Sequence, residues 1–402
     1  MKTKRLTDHI EEAAAVIRGG GLVAVPTETV YGLAGNGLDA AAVERIYEVK
    51  GRPMVKPLSL MVSGPEAFHA LCREAPPAAY ALAERFWPGP LTIVLPVKPG
   101  LLPSIVLAGG DTVGLRCPKS EKTLALLRAC GLPLAAPSAN PSGAESPRSA
   151  EDVLAYFDGV IDGVIDGGPC ALGVESTLAA LSPAGLTILR QGALSEMEIR
   201  RCLIDTLNIF GITGGTGSGK TTALEVLKEK GALVIDADAV YHELCAGNTA
   251  MLGEINGRFP SAVEEGVLQR KKLGALVFSD PAALGDLRKI TDRYVEREID
   301  RRLSDHAAAG GRIAAVDAIN ILDTNLMSYG ITTVGITAPE QARAERLMAR
   351  EGISLEYALK RIRAQHPSEW FEENCDYTIA NDSDRETYRR RCEALFTKLL
   401  EE

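Results

Sequence analysis

Two rhythms of hydrophobic and polar positions alternate along this chain. Ile10, Ala14 and Ile17 recur at helical spacing, and Gly19-Gly20-Gly21 ends that run. Asp8 with Glu11 three residues later reads as a capping-box-like start. The apolar run 22–25 then predicts a short buried strand. It leads into Pro26-Thr27-Glu28-Thr29-Val30-Tyr31-Gly32-Leu33, which is more polar than a strand end requires. Asp39 predicts the cap of a second helix carrying Val43, Ile46 and Tyr47. Further strands are expected at 56–61, 91–97, 112–117 and 132–136, and another after Gly173-Val174-Glu175-Ser176-Thr177. The alternation restarts at an apolar run over 207–212, with a helix over 223–230 and a strand over 232–235. A helical segment is read over 266–278, strands over 313–316 and 331–337, and a last helix after Asp382 with Tyr388, Cys392, Phe396 and Leu399 at core spacing. Strand and helix in alternation predict an α/β fold.

At 402 residues the chain exceeds one ordinary core, and two domains are expected, 1–204 and 207–402. Its 46% hydrophobic and 24% charged residues are those of a soluble globular protein. A formal net charge of −9 excludes a general nucleic-acid coat, and no sequence-specific DNA partner is expected. Eight cysteines without a C-x-x-C pair read as small buried hydrophobes. Met1 to Arg18 holds no apolar leader core, and no uncharged apolar run of about 18 residues occurs, so a cytoplasmic protein with no membrane partner is expected.

The sharpest chemical signal is Gly214-x-x-x-x-Gly219-Lys220-Thr221, set between the 207–212 strand and the 223–230 helix. Glycines at those positions let the backbone wrap a phosphate chain with its amides inward, and the helix N-terminus adds partial positive charge. Gly217, Ser218, Gly219, Lys220, Thr221 and Thr222 are the expected ATP cradle, with the Thr221 hydroxyl on Mg²⁺. The next strand ends in Asp236-Ala237-Asp238, carboxylates suited to Mg²⁺ water or to base work on an alcohol; capping of the following helix is the bland role, and the two can coexist. Arg343, Arg346 and Arg350 share a helix face, and Arg361 and Gln365 follow on a second helix. Such a basic hairpin suits a phosphate-covering lid, although a charge run alone is more often solvated surface.

In the first half, hydroxyls and cations recur at predicted strand ends, where open α/β sheets bind ligands. Lys50, Arg52, Lys56, Arg116 and Arg190 could surround a polyanion, and Thr29, Ser138 and Ser176 could orient a small polar substrate. Turn chemistry and solvated surface explain the same residue types equally well from pattern alone.

Seven ordered blocks decide between these readings: PTETVYGL, KGRP followed by KPLSL, WPGPLT, GLRCP, PSANPSG, GVESTL and RQG. Together they resemble the YrdC-like family of threonylcarbamoyl-AMP synthases over roughly residues 5 to 203. The resemblance implies a twisted mixed sheet with a concave cleft. It also implies condensation of L-threonine, bicarbonate and ATP to threonylcarbamoyl-adenylate and pyrophosphate, feeding tRNA modification beside the anticodon and contact with tRNA-modification proteins. By motif position the threonine site falls on Thr29, Arg116, Ala136 and Ser176. The ATP site falls on Lys50, Arg52, Lys56, Thr112, Ser138, Asn140, Ser146 and Arg190. One departure is Met61, where many members place a His against threonine.

The second half resembles dephospho-CoA kinase through GITGGTGSGKTTA, VIDADAVYHEL, EGVLQRKKLGALVF, RLMAREGIS with RIRAQ, and CDYTIAND. The resemblance implies a parallel-sheet P-loop kinase with a helical lid that phosphorylates the ribose 3′-hydroxyl of dephospho-CoA from ATP. It puts Lys220, Asp238, Asp236, Arg350 and Arg361 in the catalytic roles, with Asp238 as base and the arginines as lid cations. Asp292-Arg293 stands where the family usually has His-Pro, and Ile319 to Asp323 replaces a Pro-Leu-Leu-Phe-Glu block, both on the acceptor side. A bifunctional enzyme is therefore expected. Two alternatives stay open for the second half: a kinase of another small alcohol, or a non-catalytic nucleotide-binding regulator. For the first half, an RNA-binding module is the alternative.

Overall fold

In the computed structural model, which describes residues 2–401, strand pairing yields two main sheets and one small hairpin. The first sheet has ten strands. In spatial order they are Lys4–Arg5, Gly163–Val164, Val23–Val25, Gly32–Asn36, Leu134–Ala135, Leu60–Met61, Thr112–Arg116, Leu91–Pro96, Thr177–Ser182 and Gly185–Arg190. Its pairings are mixed: Leu60–Met61 runs parallel to Thr112–Arg116 but antiparallel to Leu134–Ala135. The second sheet has five strands, all parallel, in the order Leu233–Asp236, Ile313–Asp317, Asn208–Thr213, Thr332–Thr337, Tyr377–Ala380. The chain divides into two compact units. One runs up to Leu203 and takes in Ala308–Gly310; the other comprises Ile204–Ala307 and the chain from Gly311.

Local chemistry accounts for most element ends. Asp39 accepts from the Ala41 amide at 3.0 Å to start helix Ala40–Lys50, and Gly51 closes it in the left-handed region at φ 56°. Ser149 and Asp152 form a reciprocal capping box at helix Ala150–Phe157. The Asp8–Glu11 expectation fails: helix Ile10–Arg18 starts at His9 with no side-chain cap, and Asp8 is exposed near Lys122. The 266–278 segment is also corrected. Val263–Glu264 and Val267–Leu268 form a hairpin, and the helix is only Arg270–Val277. Glu265 and Gly266 both take positive φ there, as a tight two-residue hairpin turn requires.

Each unit has its own core. In the first, Ile17, Val23, Val25, Leu126 and Leu134 pack around the sheet. In the second, Ile212, Val226, Val334, Tyr388 and Phe396 cover one face, and Ile235, Val240, Ile299, Leu303 and Val316 the other. The last helix, Arg385–Glu401, thus buries the predicted stripe through Tyr388, Cys392 and Phe396. All eight cysteines are free thiols. Among the described residues no helix is long and apolar enough to cross a membrane.

Candidate functional site

Mixed pairing in the first sheet brings Met61, Arg116 and Leu134 to adjacent strand ends, because Met61 pairs in register with both of the others. Beside them opens a cavity of about 170 Å³, whose lining includes Arg52, Met61, Thr92, Arg116, Ala136, Ser138, Glu175, Ser176 and Arg190. Arg116 is buried, and its Nη2 donates to Thr29 Oγ1 at 2.8 Å and lies 2.9 Å from Glu28 Oε1. Burial lowers the affinity of this guanidinium for its proton, and Glu28 opposes that effect. Arg190 Nη1 pairs with Glu175 Oε2 at 2.9 Å, and its Nη2 donates to the Ser176 carbonyl at 2.8 Å. The Ser176 hydroxyl meets Thr92 Oγ1 at 2.9 Å.

Most of the remaining expected groups lie off the cavity, although Arg52 lines it. Lys50 is buried, and its ammonium donates to the carbonyls of Ser138 and Asn140, so it fastens the 137–146 loop from behind. Asn140 holds the same loop through Pro141 and Ala144 carbonyls and keeps a buried Oδ1 without a partner. Ser146 donates to Glu175 Oε1 at 3.2 Å, one step from the cavity. Arg52 reaches the carbonyls of Lys56 and Pro57, while the Lys56 side chain is exposed. Thr112 is exposed at the far end of the strand from Arg116, about 13 Å away by strand rise, and does not line the cavity. Glu28, Glu175 and Thr92 were missing from the expected site. The polar character of 26–33 flags the first, and Glu175 and Thr92 lie inside the GVESTL and WPGPLT blocks, which mark the domain without giving those two residues a role.

In the second unit the Gly214–Thr221 loop leaves the central strand Asn208–Thr213 and enters helix Lys220–Glu229 through Gly219 at φ 106°. Lys220 Nζ donates to the Gly214 carbonyl at 3.2 Å and stands 3.6 Å from Asp317 Oδ1. Asp317 closes the neighbouring strand, directly opposite Asp236 in register. Burial pushes its carboxyl up, and Lys220 holds it down. The strand expected over 313–316 runs on to Asp317, which belongs to none of the motifs above; an acid ending an apolar strand beside this loop is the available signal. Asp236 does cap helix Ala237–Gly247, accepting from the Ala239 amide at 3.0 Å. Asp238 lines a different cavity, of about 630 Å³, together with Arg288, Asp292, Arg293, Asn320 and Asp323. Both departing segments therefore gather around the expected base. Burial and the neighbouring Glu296 push Asp292 up.

The arginine face is split. Arg343 and Arg346 turn onto the loop backbone: Arg343 Nε donates to the Thr216 carbonyl at 3.0 Å, and Arg346 Nη1 to the Gly217 carbonyl at 3.1 Å. Asn381 and Tyr388 hold the Ser218 and Gly219 carbonyls at 2.8 and 3.0 Å. Arg350 and Arg361 both pair with Glu351 at the surface. The Ser218 hydroxyl is buried without a partner, whereas Thr221 is exposed at the mouth of the loop. Among the described residues no group of three or more His, Cys, Asp or Glu side chains could hold a metal ion.

Comparison with known proteins gives each half a family. The model described as Telomere recombination (Sua5_yciO_yrdC) matches residues 15–192, and that of dephospho-CoA kinase (CoaE) matches 208–386. Threonylcarbamoyl-AMP synthase of Bacillus subtilis is 45% identical over 210 residues, 50% of this chain and 61% of that protein. A putative threonylcarbamoyl-AMP synthase of Mycobacterium tuberculosis is 34% identical over 50% of this chain and 93% of its own length. Dephospho-CoA kinase of Mesorhizobium japonicum is 32% identical over 48% of this chain and 96% of its own length. The chain spans about three fifths of the length of the longer synthases that it matches. The chain thus belongs to two families in series, the Sua5/YciO/YrdC family in its first half and the dephospho-CoA kinase family in its second.

Proposed function

We propose that the chain is a bifunctional enzyme with domains 1–204 and 207–402. The first condenses L-threonine, bicarbonate and ATP to threonylcarbamoyl-adenylate and pyrophosphate. The second moves the γ-phosphoryl of ATP to the 3′-hydroxyl of dephospho-CoA. The setting is the cytoplasm, and the first product passes to tRNA-modification proteins.

In the first domain Arg116 takes the threonine carboxylate, exchanging it against Glu28, with Thr29, Ala136 and Ser176 shaping the amino-acid site. Arg52, Lys56, Ser138, Ser146 and Arg190 serve the ATP phosphates, and Lys50 and Asn140 hold the loop that carries Ser138. Thr112 is not part of the lining of this cavity among the described residues.

In the second domain the amides of Gly217 to Thr222 cradle the phosphates and Lys220 neutralises the outer ones. Mg²⁺ fits the hard oxygens present: Thr221 would hold it, with Asp317 and Asp236 near its waters, and when bound it offsets charge on the transferring group. Asp238 accepts the acceptor's hydroxyl proton, and Arg350 and Arg361, released from Glu351, steady the charge. One placement carries this reading: Asp238 lies just past a strand end of the phosphate-loop sheet and also lines the cavity that contains Asp292, Arg293 and Asn320.

The test incubates the purified chain with Mg-ATP and dephospho-CoA, without threonine or bicarbonate, and quantifies CoA and ADP. Lys220→Ala runs in parallel. CoA from the wild type that disappears in the variant supports the reading. No CoA from protein that binds ATP rules out dephospho-CoA as acceptor and leaves a changed acceptor, with Asp292-Arg293 in the cavity beside Asp238, or a silent nucleotide-binding module. A separate incubation with threonine, bicarbonate and ATP reads pyrophosphate for the first domain.

A further inference from the structure

Arg343 is a buried cation that forms no salt bridge among the described residues, although Glu340 acts on it through space. It sits on helix Glu340–Glu351 and is 5% exposed. The nearby Glu340 is engaged by Arg363 instead. The partners of Arg343 are two neutral oxygens: the Thr216 carbonyl, 3.0 Å from Nε, and Gln365 Oε1, 3.2 Å from Nη2. Among the described residues its Nη1 has no hydrogen-bond partner. Isolated buried charge costs several kcal/mol, so buried guanidinium groups ordinarily recruit a carboxylate. Here Gln365 occupies the place that a glutamate of nearly the same shape would take.

The location is specific. A Cβ on Gly215 would fall 2.1 Å from Arg343 Nη2, and one on Gly217 would fall 2.8 Å from the Arg343 carbonyl, so two loop glycines admit this helix. Gln365 also accepts from the Thr216 amide and donates to the Thr216 hydroxyl, each at 2.8 Å. Arg343 and Gln365 together hold all three polar groups of one phosphate-loop residue. Both also line a cavity of about 560 Å³ whose wall carries Glu340, Glu369, Glu372 and Asp382, so the charge of Arg343 is available on the loop side rather than toward that cavity.

We propose that Arg343 is kept unpaired, with Gln365 neutral beside it, so that its charge serves the phosphates of a bound nucleoside triphosphate. The loop amides attract those phosphates through partial charges, and Arg343 adds a full charge at the same place. This rests on the nucleotide-binding reading of the loop.

Gln365→Glu separates this role from a structural one. The substitution completes a buried ion pair and cancels the local charge. In the full chain it leaves the melting temperature unchanged or raised. At the second site, read by calorimetry as the binding that a Lys220→Ala chain lacks, it weakens ATP binding by about tenfold, weakens ADP binding less, and leaves adenosine binding unaltered. Arg343→Gln gives the same graded loss. A Gln365→Glu protein that binds ATP like the wild type, or loses ATP and adenosine equally, overturns the assignment while leaving the loop reading intact. A wild-type chain whose ATP and ADP binding matches that of Lys220→Ala overturns both.

Discussion

The two candidate sites hold their cations in opposite ways. In the first unit Arg116 already faces Glu28, Arg190 faces Glu175, and Lys50 is wrapped in carbonyls. In the second unit the binding surface is mostly backbone, shaped by glycine, and its buried cation Arg343 forms no salt bridge among the described residues. A site built from ion pairs must exchange partners when substrate arrives, so its charged groups also support the empty fold. A glycine loop is formed before the ligand comes and can leave a cation uncompensated. Substitutions in the first unit should therefore disturb folding and binding together, and those in the second should separate them.

The largest expected effect is Lys220→Ala. It should cut CoA formation about 10²–10³-fold, as loss of a preorganised phosphate contact does, while pyrophosphate release from the threonine reaction persists. Loss of both activities in a folded variant would mean that the units do not work independently.

Next in size is the stability of the paired site. Arg116→Met leaves the largely buried Glu28 without its cation, held by the Lys119 amide, at a cost of up to about 3–5 kcal/mol, and the double variant with Glu28→Leu should regain much of it. Arg343→Gln should cost the second unit far less, because no buried acid is stranded. Urea unfolding followed separately in each unit compares them. Equal destabilisation by the two single arginine variants would remove the distinction.

A smaller effect concerns Lys50. Burial pushes its ammonium down to about 8 from the ordinary 10.5, with the Arg52 charge adding to the shift and Glu175 opposing it. Unfolded, the amine keeps its proton up to the ordinary value; folded, it loses it near 8. Between those values the unfolded chain binds more protons, so this contribution to stability rises with pH, and below that window burial of the charge costs about 3 kcal/mol. The stability difference between wild type and Lys50→Met should therefore move in favour of the wild type from pH 8 to pH 10. A flat difference would show that the carbonyls hold the charged and neutral amine equally.

The same contrast explains what was legible in the sequence. Gly214 to Thr221 is contiguous, and its physics depends on glycine, lysine and threonine at fixed spacing, so the loop could be read directly. The first site is assembled from ends of strands far apart in the chain, and from residues alone its cations were indistinguishable from surface. Only the ordered blocks singled them out, and even those gave no sign of the pairing of Arg116 with Glu28. Helix periodicity grouped Arg343, Arg346 and Arg350 on one face but could not tell that the first two turn onto the loop while Arg350 meets Glu351. Local errors had local causes. Glu265-Gly266 is a hairpin turn signal inside a run that otherwise reads as helix, and Asp8 is one residue too early to cap.

The smallest effect tests whether pairing also restrains the second unit at its surface. Glu351 is shared by the exposed Arg350 and the half-exposed Arg361, and these arginines draw its carboxyl below the usual range, Arg350 more strongly. If the lid cations act on the transferring phosphoryl group, each turnover must break this contact. Glu351→Gln removes the competing charge, so kcat for CoA formation should rise, by no more than about threefold because exposed pairs are weak and screened. The gain should shrink with added salt, which loosens the pair in the wild type already. A fall in kcat instead would mean that Glu351 holds the two arginines in their working geometry, and the second unit would then rely on a paired acid much as the first does.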